Sequence, residues 1–148
     1  MKAIWLLVLF AWFAPTAHAA GGASLAFPNN LHQQDMPAVI VLFSLPDCAY
    51  CEKVRQQSLR HIHTDPNYKG RVGVYEIDFS DEKRSFIWFD GRRYTGKSLA
   101  APLNVKFSPT VMVFGGTGAV AGRPLLGSGL PEFYGAYLDE LIKNAWAL

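Results

Sequence analysis

The sequence predicts an α/β domain: a small mixed sheet flanked by helices, with a hairpin excursion before a strand that opens on Ser108-Pro109. Three observations carry this. An apolar, β-branched run at 38–43 leads into a stretch with helical spacing, and an alternating run follows at 70–79, the order of a βαβ unit. Residues 108–114 read as a strand with its proline at the start, where the missing N–H is tolerated. The chain then closes on an apolar stripe, Phe133, Tyr134, Tyr137, Leu138, Leu141 and Ile142, behind a first-turn Pro131.

The 148 residues open with Lys2, an almost wholly apolar run at 3–14 and an A-x-A cleavage signal, Ala17-His18-Ala19. Residues 1–19 are expected to be a secretory signal peptide and 20–148 a single domain exported to the periplasm. The apolar run is shorter than the roughly 20 residues of a bilayer span. Cleavage removes Lys2 from the 14 basic residues and none of the 12 acidic ones, so the remainder is nearly neutral. Without a basic stripe, nucleic acid is not an expected partner.

From 20 to 37 the residues are small, polar or turn-prone; Leu25, Phe27 and Leu31 can dock on the body, and one helical turn is expected around 30–34. Residues 38–43 form a buried strand. Residues 52–62 are good helix formers that align Cys51, Val54, Ser58 and Ile62 on one side, and Thr64-Asp65-Pro66-Asn67 ends the helix. With 70–79 as the next strand, the crossover is right-handed and parallel. Asp90-Gly91 is a two-residue hairpin signal, with Phe86 and Trp88 expected in the core or in cross-strand contacts. Thr95 or Ser98 caps a short helix over 99–103. After the Ser-Pro strand, Gly115-Gly116-Thr117-Gly118 turns the chain and 119–123 returns antiparallel.

The two cysteines of the chain, Cys48 and Cys51, sit where the first strand becomes a helix. A thiol at a helix N-terminus faces unpaired N–H groups, which favour the thiolate, the form that attacks a disulfide. Cys48 is read as the attacking thiol and Cys51, three positions on, as the resolving one. A structural disulfide here would close too small a loop to stabilise much. Tyr50 either presents an aromatic face to a partner or packs back on the body. His61 and His63 miss zinc-finger spacing and are read as solvated residues, as is His32, so no metal site is expected. Asp47 and Glu52 place negative charge beside the thiols, against the helix-end effect.

A strand, C-x-x-C, a helix, a strand, then a proline-led strand, a hairpin and a last helix together resemble the thioredoxin superfamily over roughly 38–144. The chain is most similar to small exported thioredoxin-like proteins, including the SoxW type, through Phe89-Asp90-Gly91 to Leu99-Ala100 and the motif Val105-Lys106-Phe107-Ser108-Pro109-Thr110. The resemblance implies that Pro109 is cis and lies against the cysteine pair. A cis proline there offers no N–H of its own and leaves the backbone of Ser108 free to pair with an extended substrate segment beside the sulfurs. The family's buried aspartate is replaced by Leu42, its tryptophan before the first cysteine by Asp47, and its Gly-Pro between the cysteines by Ala49-Tyr50. The proton of Cys51 is then left to Glu52, Glu76, Asp78 or water.

The expected function is an exported thiol–disulfide oxidoreductase that exchanges disulfides with protein partners, as a monomer and without a cofactor. The reducing direction, with a membrane-embedded electron donor, is expected because the chain lacks the inserted helical or dimerisation domains that family oxidases and isomerases carry. The alternative is a non-enzymatic thioredoxin-like module carrying copper(I) on Cys48 and Cys51.

Overall fold

The computed structural model describes residues 25–129 and 131–148. The expected signal peptide lies outside the described residues. The central strand is β1 (Ala38–Ser44), buried along its whole length. It pairs in parallel with β2 (Val72–Asp78), from Ala38 opposite Val72 to Ser44 opposite Asp78. On its other side it pairs antiparallel with β5 (Thr110–Gly115). The order is β2-β1-β5-β6, with β6 (Leu125–Leu126) at the edge. This is the expected mixed sheet.

Alternation along β1 divides the core. Ala38, Ile40 and Leu42 face one cluster; Val39, Val41 and Phe43 face the other. The first is covered by two helical segments. One begins as α1 (Ala49–Val54) and runs on through a π-helical turn, Arg55–Leu59, and a 3₁₀ turn, Arg60–His63. The other is α3 (Pro131–Trp146).

The π turn changes which side chains reach the core. Its wider loop, with Arg60 N–H donating to the Arg55 carbonyl, advances the phase by one residue. Leu59 is therefore buried with Val54 and Ile62, and the Ser58 expected on that side is only half-buried. In α3 the stripe is narrower than the sequence pattern indicates. Tyr134, Leu138, Leu141, Ile142 and Ala145 are buried, whereas Phe133 and Tyr137 are 54% and 56% exposed. Positions 133 and 137 lie about 100° round the helix from 134 and 138, away from the buried stripe.

The opposite face is covered by the hairpin of β3 (Ser85–Ile87) and β4 (Arg93–Thr95) and by α2 (Gly96–Ala100). The hairpin is thus a wall of the core, with Trp88 packed edge-on to Phe86, Phe89 and Phe114. Its turn is longer than two residues. Trp88 N–H donates to the Arg92 carbonyl (2.9 Å) and Gly91 N–H to the Trp88 carbonyl (3.0 Å), so Phe89-Asp90-Gly91 forms the loop. Gly91 takes the left-handed conformation that closes such a loop, φ +77°. Thr95 caps α2 in a capping box with Ser98, and the helix starts three residues earlier than expected.

The lead-in is better tied down than its composition suggests. In place of a helical turn, Ala26 bridges to Tyr75 and Asn30 to Ile87, and Leu31 is buried. The return after β5 is also broken: Val120 makes one bridge to Phe114, and regular pairing resumes only at Leu125 and Leu126. Pro124, which has no N–H to give, stands between the two. Among the described residues no helix is long and apolar enough to cross a membrane.

Candidate active site

The buried β1 ends at Ser44, whose carbonyl accepts from Phe79 N–H (3.1 Å). Leu45, Pro46 and Asp47 then turn the chain outward, Asp47 with φ +56°. Cys48 follows as the N-cap of α1, in extended conformation, and its sulfur accepts the N–H of Cys51 at 3.1 Å. The cysteines are joined as a disulfide, Cα to Cα 5.2 Å. Their surroundings differ: Cys48 is half-exposed and Cys51 fully buried. A partner can reach the first sulfur and not the second. A backbone N–H aimed at Cys48 Sγ would also hold negative charge there once the bond is reduced.

The Ser108–Pro109 bond is cis, as the resemblance implies, and Pro109 is buried. Ser108 brings its hydroxyl to 3.0 Å from Cys51 Sγ and 3.3 Å from Cys48 Sγ. With both sulfurs in a disulfide the hydroxyl is the donor. The Ser108 backbone makes no hydrogen bond among the described residues, while its neighbours are held: Thr110 Oγ1 donates to the Phe107 carbonyl (2.8 Å) and Gly127 N–H to the Pro109 carbonyl (2.8 Å). A fixed turn thus presents one unpaired peptide unit beside the sulfurs. Tyr50 is 65% exposed and does not pack back on the body.

The carboxylates considered for the Cys51 proton are otherwise engaged. Arg55 donates from Nε and Nη2 to the two oxygens of Glu76, both at 2.9 Å, and from Nη1 to Glu52, which Gln56 also contacts. The hydrogen bond to Glu76 outweighs partial burial and raises the Arg55 pKa, so this cation is permanent. Asp78 accepts from the backbone and hydroxyl of Ser80. No carboxylate among the described residues hydrogen-bonds a sulfur; the Ser108 hydroxyl does. Sequence reasoning gave Ser108 a backbone role only, although a hydroxyl residue directly before the motif's proline was the available signal. It missed the Arg55 network, because pairing across 21 residues leaves no local spacing signature.

Leu42, in the place of the family's aspartate, is completely buried and lies opposite Glu76. The hairpin aromatics are buried as expected; His61 and His63 are exposed. His32 is exposed as well, with Nδ1 2.8 Å from the Phe89 carbonyl. Among the described residues no group of three or more His, Cys, Asp or Glu side chains is placed to hold a metal ion.

Residues 29–134 match the family model of the thioredoxin-like domain. None of the curated proteins matches the chain by sequence. Several solved structures share the fold. Mitochondrial thioredoxin 3 from Saccharomyces cerevisiae, in its oxidised form, is 16% identical with TM-score 0.52, over 81% of this chain and 94% of that one. Thioredoxin O2 from Arabidopsis thaliana, also oxidised, is 17% identical with TM-score 0.50, over 71% and 75%. The periplasmic thioredoxin SoxS from Paracoccus pantotrophus, reduced, is 18% identical with TM-score 0.50, over 73% and 98%. At these identities the likeness concerns the fold. The match over 29–134, more than half of the chain, places it in the thioredoxin-like family, with a cysteine pair that supports thiol–disulfide oxidoreductase chemistry.

Proposed function

We propose that the protein is an exported thiol–disulfide oxidoreductase that reduces disulfides of protein partners in the periplasm. Residues 1–19 are removed as a signal peptide, and 20–148 act as one monomeric domain recharged by a membrane-embedded electron donor. The observation that carries the reading is the asymmetry of the pair: Cys48 open to a partner and capped by an N–H, Cys51 buried behind it.

In the reduced protein, Cys48 thiolate attacks one sulfur of the partner's disulfide. That bond breaks, the partner's other sulfur leaves as a thiolate and takes a proton, and a mixed disulfide joins the two proteins. Cys51 then loses its proton past the Ser108 hydroxyl to solvent and attacks Cys48 Sγ. The partner's second sulfur is released and protonated, and Cys48 is left bonded to Cys51. Two electrons and two protons have passed to the partner. During this exchange the partner's chain lies along the Ser108 peptide unit and against Pro109 and Tyr50.

The test is catalysed reduction of insulin by dithiothreitol. Turnover by the wild type that is lost in Cys48→Ser supports the reading; copper(I) bound one to one without turnover would replace it with the carrier alternative. Cys51→Ala, which cannot resolve, is expected to hold the natural partner as a mixed disulfide.

A further inference from the structure

Next to the Ser-Pro turn, residues 103–107, the start of β5 and residues 123–126 enclose a groove of about 520 Å³, room for several side chains of a docked segment. Leu103 and Met112 contribute to its apolar lining. Phe107 and Leu126, also lining it, are 64% and 57% exposed, two large apolar side chains left to water. The charged residues of the lining are Lys106 and Arg123, both positive and both exposed. Among the described residues neither is in an ion pair. Two lining residues adjoin the cysteine site along the chain. Phe107 directly precedes Ser108, whose hydroxyl is 3.3 Å from Cys48 Sγ, and Leu126 directly precedes Gly127, which is bonded to the Pro109 carbonyl.

We propose that this groove docks an acidic segment of the disulfide-bearing protein partner. Residues beside the partner's cysteine would set an apolar side chain between Phe107 and Leu126 and a carboxylate near Lys106 and Arg123. The sign of the two unpaired cations selects the partner, and the apolar walls give the segment surface to bury. The inference rests on the oxidoreductase reading above and adds the kind of substrate to it.

The test uses two peptides, each a symmetric disulfide through a central cysteine flanked by leucine: one with two glutamates beside it, the other with two lysines. Pre-reduced protein is mixed with each in single turnover at low ionic strength, and released peptide thiol is followed. The acidic peptide is expected to react about tenfold faster, the advantage shrinking with added salt. Charge reversal in K106E/R123E, at two exposed positions, is expected to invert the order. Equal rates in the wild type, or a preference that survives the reversal, would overturn the docking proposal while the oxidoreductase reading stands. If neither peptide reacts, the oxidoreductase reading itself fails and the docking proposal goes with it. A dimer abolished by Leu126→Glu would also overturn the proposal, giving the groove to a second copy.

Discussion

Ser108 is the side chain whose hydroxyl touches both sulfurs of the pair. Its hydroxyl lies within hydrogen-bond distance of both sulfurs, so in the reduced protein it can donate to whichever is the thiolate. A donor to an anion favours that anion. Ser108→Ala is therefore expected to raise the pH at which Cys48 becomes reactive, by about one pH unit, given about 1.4 kcal/mol for such a bond. The check is the pH dependence of Cys48 alkylation in the reduced protein. An unchanged midpoint would leave the Cys51 N–H as the sole stabiliser. Leu42 bears on the same question from the other side: β1 carries no carboxylate, and Glu52 and Glu76, two of the acids considered for the Cys51 proton, are tied to Arg55.

At the scale of elements, two junctions position the site. Arg55, in the π turn, clamps the helix that carries the cysteines onto β2 through Glu76, and both side chains are largely buried, 16% and 10% exposed. Glu76→Gln removes one charge of this pair and leaves Arg55 with Glu52. The expected loss is about 2 kcal/mol in urea unfolding, below the value for a fully buried pair because one partner remains. Insulin reduction should persist, since Glu76 contacts no sulfur; a collapse of turnover in a folded variant would instead make it the proton acceptor. The second junction is the start of α2, where a Cβ on Gly96 would overlap the Asp78 carbonyl. Because β2 cannot retreat without losing its register with β1, Gly96→Ala is expected to destabilise by about 3 kcal/mol or more, read as a lowered Tm.

The whole molecule is closed by α3, which Tyr68 fastens to the segment before β2 through a hydrogen bond to Asp139. Burial first, and then this bond to a carboxylate, push the Tyr68 phenol from the usual value near 10 up to about 12. Asp139 is lowered in turn, chiefly by Lys143 and then by Tyr68. A folded-state pKa above the unfolded one contributes stability that is complete below pH 10 and is lost as the pH rises through about 12. Alkaline unfolding should therefore steepen in that window and flatten in Tyr68→Phe. Asp139→Asn should bring the phenol's midpoint only part of the way back, because burial is the larger cause; phenolate absorbance measures it.

Features that arise between near neighbours were legible in the amino-acid order: the buried strand at 38–43, the cysteines at a strand-to-helix junction, the proline-led strand, the Asp-Gly turn and the closing helix. Each is written in spacing and turn chemistry over a few residues, and the physical cause acts over the same few residues. Tertiary structure alone decided the rest. It brought Ser108 to sulfurs 57 and 60 positions away, locked Glu76 to Arg55, laid the hairpin over one face of β1 and moved Leu59 to the core through a π turn. Those outcomes depend on how β2, β1 and β5 come into register. That registry is set by packing of the whole core, which no local window of the chain contains.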